Sequence, residues 1–262
     1  MRITANDLHV NCQVSGPEGA PVVVLSHSLG SSGVMWEHQV PALVEKYRVV
    51  RYDTRGHGGT DAPAGPYSLD MLGDDAVAML DALDIDRVHW VGLSMGGMIG
   101  QNVALRHSAR LASAVLCDTT SRVPGEAKSM WDERIAAAEK SGMSALVDAT
   151  MERWFTAPYR ERGPKDLQVI REQFLETPTS GFVGCCQAIR DLDYTDRLAQ
   201  IDLPVHVIVG DQDPSTPPAA AQAIQERISG ASLDIIESAA HMSNVEQPEA
   251  FNRSLFTFLD RL

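Results

Sequence analysis

Basic residues are in short supply in this chain. Twenty-two Lys and Arg face 35 Asp and Glu, leaving a formal net charge of −13. A field of that sign repels phosphate backbones and anionic lipid heads, so neither a nucleic-acid partner nor a membrane-surface partner is expected. It also means that any anionic small substrate must be attracted locally, against the global sign. Cysteine is sparse as well: Cys12, Cys117, Cys185 and Cys186, with no C-x-x-C spacing. Adjacent cysteines rarely bridge, so four reduced, buried thiols in a cytoplasmic protein are expected. No run approaches about 18 apolar residues, and the N-terminal MRITAND lacks an apolar stretch, so neither a membrane span nor a signal peptide is expected. Internal repeats, low-complexity tracts, H-E-x-x-H and clustered Asp/His patterns are all missing. No metal and no cofactor is therefore expected.

What is present is a strand–helix alternation. At 262 residues the chain suits one large domain with a modest insertion and can bury a core unaided. Short apolar runs bounded by turn residues occur at 21–26 (PVVVLS), 47–52 (YRVVRY), 87–92 (RVHWVG), 112–117 (ASAVLC), 204–209 (PVHVIV) and 233–237 (LDIIE). Near-continuous runs of this kind suit parallel strands covered on both faces. Between them, Leu72, Ala76, Met79, Leu80 and Leu83 form a helical stripe, and 95–107 and 248–262 also read as helices. Segment 7–15 is expected as an antiparallel edge strand. Residues 125–195 carry helical patterns only, broken at Gly142, Pro158, Gly163–Pro164 and Pro178 into about four helices. The expected fold is α/β: a mostly parallel sheet flanked by helices, with 1–121 and 198–262 forming the core and 122–197 an inserted helical cap.

Chemistry enters at Gly92-Leu93-Ser94-Met95-Gly96, a G-x-S-x-G between a strand and a helix. In that context the serine sits on a strained turn with its hydroxyl exposed, and the flanking glycines let the backbone pass without a Cβ clash. A serine hydroxyl needs a base to become nucleophilic. Of eight histidines, His241 alone follows the last strand and so emerges at the carboxyl edge of the sheet beside Ser94. His57, in a Gly-rich loop, reads as structural. Asp213, in the loop after 204–209, is the preferred orienting acid. Asp211 suits a turn-capping role, and Asp118 is a third contender. The order Ser94…Asp213…His241 is the one this architecture uses. Oxyanion donors are expected at the Met95 and Leu29 backbone N–H groups.

The motifs HSLG at 27–30, YDTRGHGGT at 52–60, GLSMGG at 92–97, GDQDPSTPP at 210–218 and AAHMSNVEQP at 239–248 resemble those of the α/β-hydrolase superfamily along the whole chain. Within it the sequence looks most like the 3-oxoadipate enol-lactonases, through 27–36, ERWFTAPYRE at 152–161 and GCCQAIRDLD at 184–193. The resemblance implies a cytoplasmic, cofactor-free hydrolase that opens an enol-lactone of aromatic degradation, with a small ester or lactone as its partner. No decarboxylase is expected fused behind Leu262. Trp154 and Phe155 are candidate pocket walls, and Arg190 and Arg153 candidate partners for a substrate carboxylate. A broad carboxylesterase or perhydrolase is the alternative, and a hydrolase-fold binding protein a remote one. Self-association into a homo-oligomer is left open.

Overall fold

The computed structural model describes all 262 residues. In chain order it comprises β1 (Arg2–Ala5), β2 (Leu8–Ser15), β3 (Val22–Ser26), α1 (Val40–Leu43), β4 (Arg48–Tyr52), α2 (Leu69–Ala82), β5 (Val88–Leu93), α3 (Met95–Arg106) and β6 (Leu111–Cys117). A helical stretch follows: α4 (Lys128–Ser141), α5 (Val147–Trp154), α6 (Ala157–Arg162), α7 (Lys165–Glu176) and α8 (Thr179–Arg190). The chain then returns to the sheet with β7 (Val205–Gly210), α9 (Pro218–Gln225), β8 (Ser232–Ile236), α10 (Ser243–Glu246) and α11 (Pro248–Leu259). The α/β architecture expected from the alternation is the one formed.

One eight-stranded sheet runs β1-β2-β4-β3-β5-β6-β7-β8. The pairs β1–β2 and β2–β4 are antiparallel, and all others are parallel. The edge strand on the antiparallel side is therefore β1, and segment 7–15 lies one place inward as β2. The four residues of β1 are too few and too mixed in polarity to stand out from the sequence, although their pairing with β2 defines the edge. Central strands are buried on both faces, with β7 covered along its whole length, as the β-branched runs require. The registers Ser26↔Gly92, Leu93↔Cys117 and Gly210↔Ile236 align the strand ends, so the loops after β3, β5, β7 and β8 leave from one edge. That edge is where open α/β sheets carry their sites.

The stretch between β6 and β7 forms five α-helices where about four were expected. Gly142 ends α4 at φ 71°, and Thr156, Pro164 and Pro178 precede α6, α7 and α8 as their N-caps. Four breaks part a run into five pieces, and the six-residue α6 is too short to show a period. These helices do not build a separate core. Ile135, Trp154, Phe174 and Phe182 belong to the same cluster of 73 buried apolar residues that fills the sheet layers. The four cysteines are free and buried. No helix is long and apolar enough to cross a membrane.

Candidate active site

Ser94 joins β5 to α3 with φ 56° and ψ −115°, a conformation that L side chains rarely adopt. The turn is held by backbone partners: the Ser94 N–H donates to Cys117 O at 2.8 Å, and Thr119 Oγ1 donates to Ser94 O at 2.8 Å. The glycines of the motif are steric requirements. A Cβ on Gly96 would lie 2.1 Å from Ser26 O, and one on Gly92 would lie 2.2 Å from Gly96 O. Both obstacles are backbone atoms that no rotamer change relieves. Gly96→Ala is accordingly expected to cost more than about 3 kcal/mol, read as a Tm loss of roughly 8 °C or more by circular dichroism. A loss under about 3 °C would show that the turn has room.

His241 follows β8 and Asp213 follows β7, so parallel pairing of these strands brings their loops together. His241 Nδ1 lies 2.8 Å from Asp213 Oδ2 and Nε2 lies 2.9 Å from Ser94 Oγ. An ionised carboxylate only accepts, which assigns the proton to Nδ1 and leaves Nε2 free to accept the serine hydroxyl. All three residues are buried. Asp213 receives further donors: Thr216 Oγ1 at 2.6 Å on Oδ2, and the Ser215 and Thr216 N–H groups at 2.7 and 3.1 Å on Oδ1. Burial pushes Asp213 towards protonation, but the charge of His241 when protonated, its hydrogen bond and the Thr216 donors outweigh it and hold the carboxyl below its ordinary range.

The other two carboxylates have different partners. Asp211 Oδ1 accepts the Ala239 N–H at 3.2 Å and braces the loop. Asp118 accepts the Gly210 N–H at 2.8 Å and Ser243 Oγ at 2.5 Å, and so ties the end of β6 to the end of β7 and the start of α10. Burial and the neighbouring Asp213 charge push Asp118 well above the usual carboxylate range, against its two hydrogen bonds.

Ser94 and His241 open onto a cavity of about 350 Å³ walled by Leu29, Met98, Trp154, Phe174, Phe182 and Ile189. The Leu29 N–H has no acceptor within the protein, while the next one, on Gly30, donates to His57 Nε2 at 2.9 Å. Met95, first residue of α3, has an N–H ahead of any intrahelical acceptor. Trp154 stands with its ring 6.4 Å from that of His241. Phe155 does not line the cavity: it is buried and stacked on Tyr159 at 5.1 Å, because β-like backbone at the α5 C-cap turns it the other way. Arg190 also lies outside, paired with Asp132 at 2.7 Å and Asp191 at 3.6 Å.

Arg153 does line the cavity, and so do Arg134 and Arg122. Arg134 passes unnoticed in the sequence because α4 looks like a solvated, charge-rich helix. Arg153 donates only to Thr150 Oγ1, at 3.2 Å, and Arg134 lies over the Trp131 ring at 5.1 Å. No carboxylate pairs with either. Burial lowers Arg134, and burial together with the Arg134 charge lowers Arg153 to about 10. A guanidinium keeps its proton at neutral pH, so both are cations. Glu246 is a second residue missed: it accepts the Ala240 N–H at 3.0 Å and the Thr156 N–H and hydroxyl, while the Met242 N–H donates to Trp154 O at 3.0 Å. These bonds fasten the α5–α6 junction to the His241 loop. No group of three His, Cys, Asp or Glu side chains could hold a metal ion.

The chain belongs to the alpha/beta hydrolase fold family, whose model matches residues 21–248. It is a hydrolytic enzyme, and its relatives narrow the kind. It is 36% identical over 259 residues to 3-oxoadipate enol-lactonase 2 of Acinetobacter baylyi, covering 99% of this chain and 96% of that one. The crystal structure of the enol-lactonase from Burkholderia xenovorans LB400 superposes with a TM-score of 0.96 at 38% identity, covering 99% of this chain and 100% of that chain. A Caulobacter sp. strain K31 protein named for carbamate hydrolysis, RutD, is 33% identical over 240 residues, covering 90% of each.

Proposed function

We propose that the protein hydrolyses a carboxylate-bearing lactone, 3-oxoadipate enol-lactone of aromatic-compound catabolism, through an acyl-enzyme on Ser94. His241, oriented by Asp213, takes the Ser94 proton as Oγ attacks the lactone carbonyl, and the Leu29 and Met95 N–H groups receive the oxyanion. Collapse breaks the ring C–O bond. The leaving enolate takes the proton from His241 and becomes a ketone. Water then gives a proton to His241 and attacks the acyl carbon; collapse breaks the acyl–Oγ bond, His241 returns the proton to Ser94, and the acid formed releases its proton to solvent as a second carboxylate. Residues 122–197 act as the cap that roofs the cavity, with Trp154 as a wall. Free, unpaired cysteines suit a reducing compartment, and the cytoplasm is the working location.

The observation that carries the carboxylate is the pair Arg134 and Arg153, half-buried in the cavity with no acidic partner. A desolvated guanidinium without a counter-ion is a site prepared for an anion. The pair also supports the reading against the charge of −13: the acidic excess lies mostly on the solvated surface, while these arginines face the cavity. Arg134→Met and Arg153→Met should each lower kcat/KM on the lactone by about ten- to a hundredfold, while changing turnover of a neutral aryl acetate by less than about threefold. A wild-type preference for neutral esters, or equal losses on both substrates, would make the protein a broad carboxylesterase instead.

A further inference from the structure

Two buried histidines lie outside the Ser94–His241–Asp213 chain. His57 Nε2 receives the Gly30 N–H at 2.9 Å, and its Nδ1 lies 3.2 Å from Arg55 O. A backbone N–H can only donate and a carbonyl can only accept, so His57 is neutral with its proton on Nδ1. His27 repeats the arrangement: Nε2 accepts the Thr54 N–H at 2.8 Å, and Nδ1 donates to Ser28 O at 2.7 Å. The two rings sit 5.2 Å apart. Burial and the neighbouring His27 drive His57 down to about 3, so it stays neutral throughout the working range.

Both imidazoles grip one short loop. His27 holds Ser28 through its carbonyl, and His57 holds Gly30 through its N–H. Leu29, between them, is left with an N–H directed at no protein acceptor, in the wall of the cavity that holds Ser94. Gly30 itself has φ 73°, and a Cβ there would strike the Phe174 ring at 2.6 Å, so the turn is also clamped from the α7 side.

We propose that His57 is a positioning residue of the oxyanion hole: by accepting the Gly30 N–H it fixes the turn that aims the Leu29 N–H, while His27 fixes the same loop from its other end. This rests on Leu29 serving as an oxyanion donor to a Ser94-bound intermediate. The Gly-rich loop 52–60 thereby acts on the reaction without touching the substrate. His57→Leu keeps an apolar side chain in the pocket but offers no acceptor. His57→Gln restores one through its amide oxygen.

The test measures kcat and KM per active site, with sites counted by exhaustive fluorophosphonate labelling, and the affinity of a simple alkyl boronic acid that forms a tetrahedral adduct. His57→Leu is expected to lower kcat about ten- to a hundredfold with KM within about twofold, and to weaken the boronate by the same factor as kcat. His57→Gln is expected to recover kcat to within about threefold of wild type. Affinity for acetate, a planar product-like carboxylate, should not change in either variant. Unchanged kcat in His57→Leu would overturn the proposal. So would a parallel loss of boronate and acetate binding, which marks a merely structural residue. Should the leucine variant not fold, His57→Gln decides alone, since a kcat more than about tenfold below wild type contradicts the acceptor role. Failure of fluorophosphonate to label wild-type Ser94 would instead overturn the acyl-enzyme reading on which this one rests.

Discussion

Ser94→Ala is expected to lower kcat/KM on every ester and lactone by about five to six orders of magnitude, with Tm within about 2 °C of wild type. The loss is large because, in the proposed mechanism, Oγ is the atom that becomes acylated. Without it, only the oxyanion donors and substrate binding remain, and these retain a modest acceleration over water. The small stability effect follows from how the turn is held. Its N–H and carbonyl are satisfied by Cys117 and Thr119, and neither bond uses the hydroxyl, whose partner is His241 Nε2. Alanine tolerates φ 56° no better and no worse than serine, so the strain is carried over. Steady-state assays on the lactone and on an aryl acetate, together with a thermal melt, check both halves. Turnover within a hundredfold of wild type would remove Ser94 from the mechanism.

Asp213→Asn should lower kcat by about four orders of magnitude, whereas Asp118→Asn should stay within about tenfold of wild type. An asparagine amide at 213 can present its NH₂ to His241 Nδ1, which moves the imidazole proton to Nε2 and leaves nothing to accept the serine proton. At 118 the carboxyl faces Gly210 N–H and Ser243 Oγ rather than the imidazole, and an amide oxygen can replace it as the backbone acceptor. The pair of variants therefore separates the acid proposed to orient the base from the one that braces the loops. Asp213 also carries a pH signature. Its folded pKa is depressed, so its stabilisation is present above the ordinary carboxylate pKa of about 4 and is lost as pH falls through the lower folded value. The Tm gap between wild type and Asp213→Asn should accordingly narrow as the pH is lowered below about 4. A gap that widens on acidification would contradict the assignment.

Much of this was legible in the chain because the signals are local. Continuous β-branched runs flanked by turn residues mark buried parallel strands, and G-x-S-x-G between such a run and a small-residue helix marks a tight turn, because sterics act over a few bonds. The short β1 escaped notice for the converse reason: four residues of mixed polarity acquire meaning only through the strand they pair with. The same holds for α6, which is held by its Thr156 cap and by Glu246 rather than by any period of its own.

The sequence by itself determined the α/β architecture, the strained serine turn and the carboxyl-edge placement of Ser94, Asp213 and His241, since periodicity, glycine sterics and the succession of strands and helices are written in consecutive residues. Only the tertiary structure decided which side chains share the cavity. It turned Arg190 outward onto Asp132 and Phe155 onto Tyr159, and brought Arg134 inward from a helix that reads as solvated. It also set His57 on Gly30, 27 residues away in sequence. An ion pair, a stack or a hydrogen bond between distant residues depends on where the packed helices and loops place them, and no local pattern encodes that.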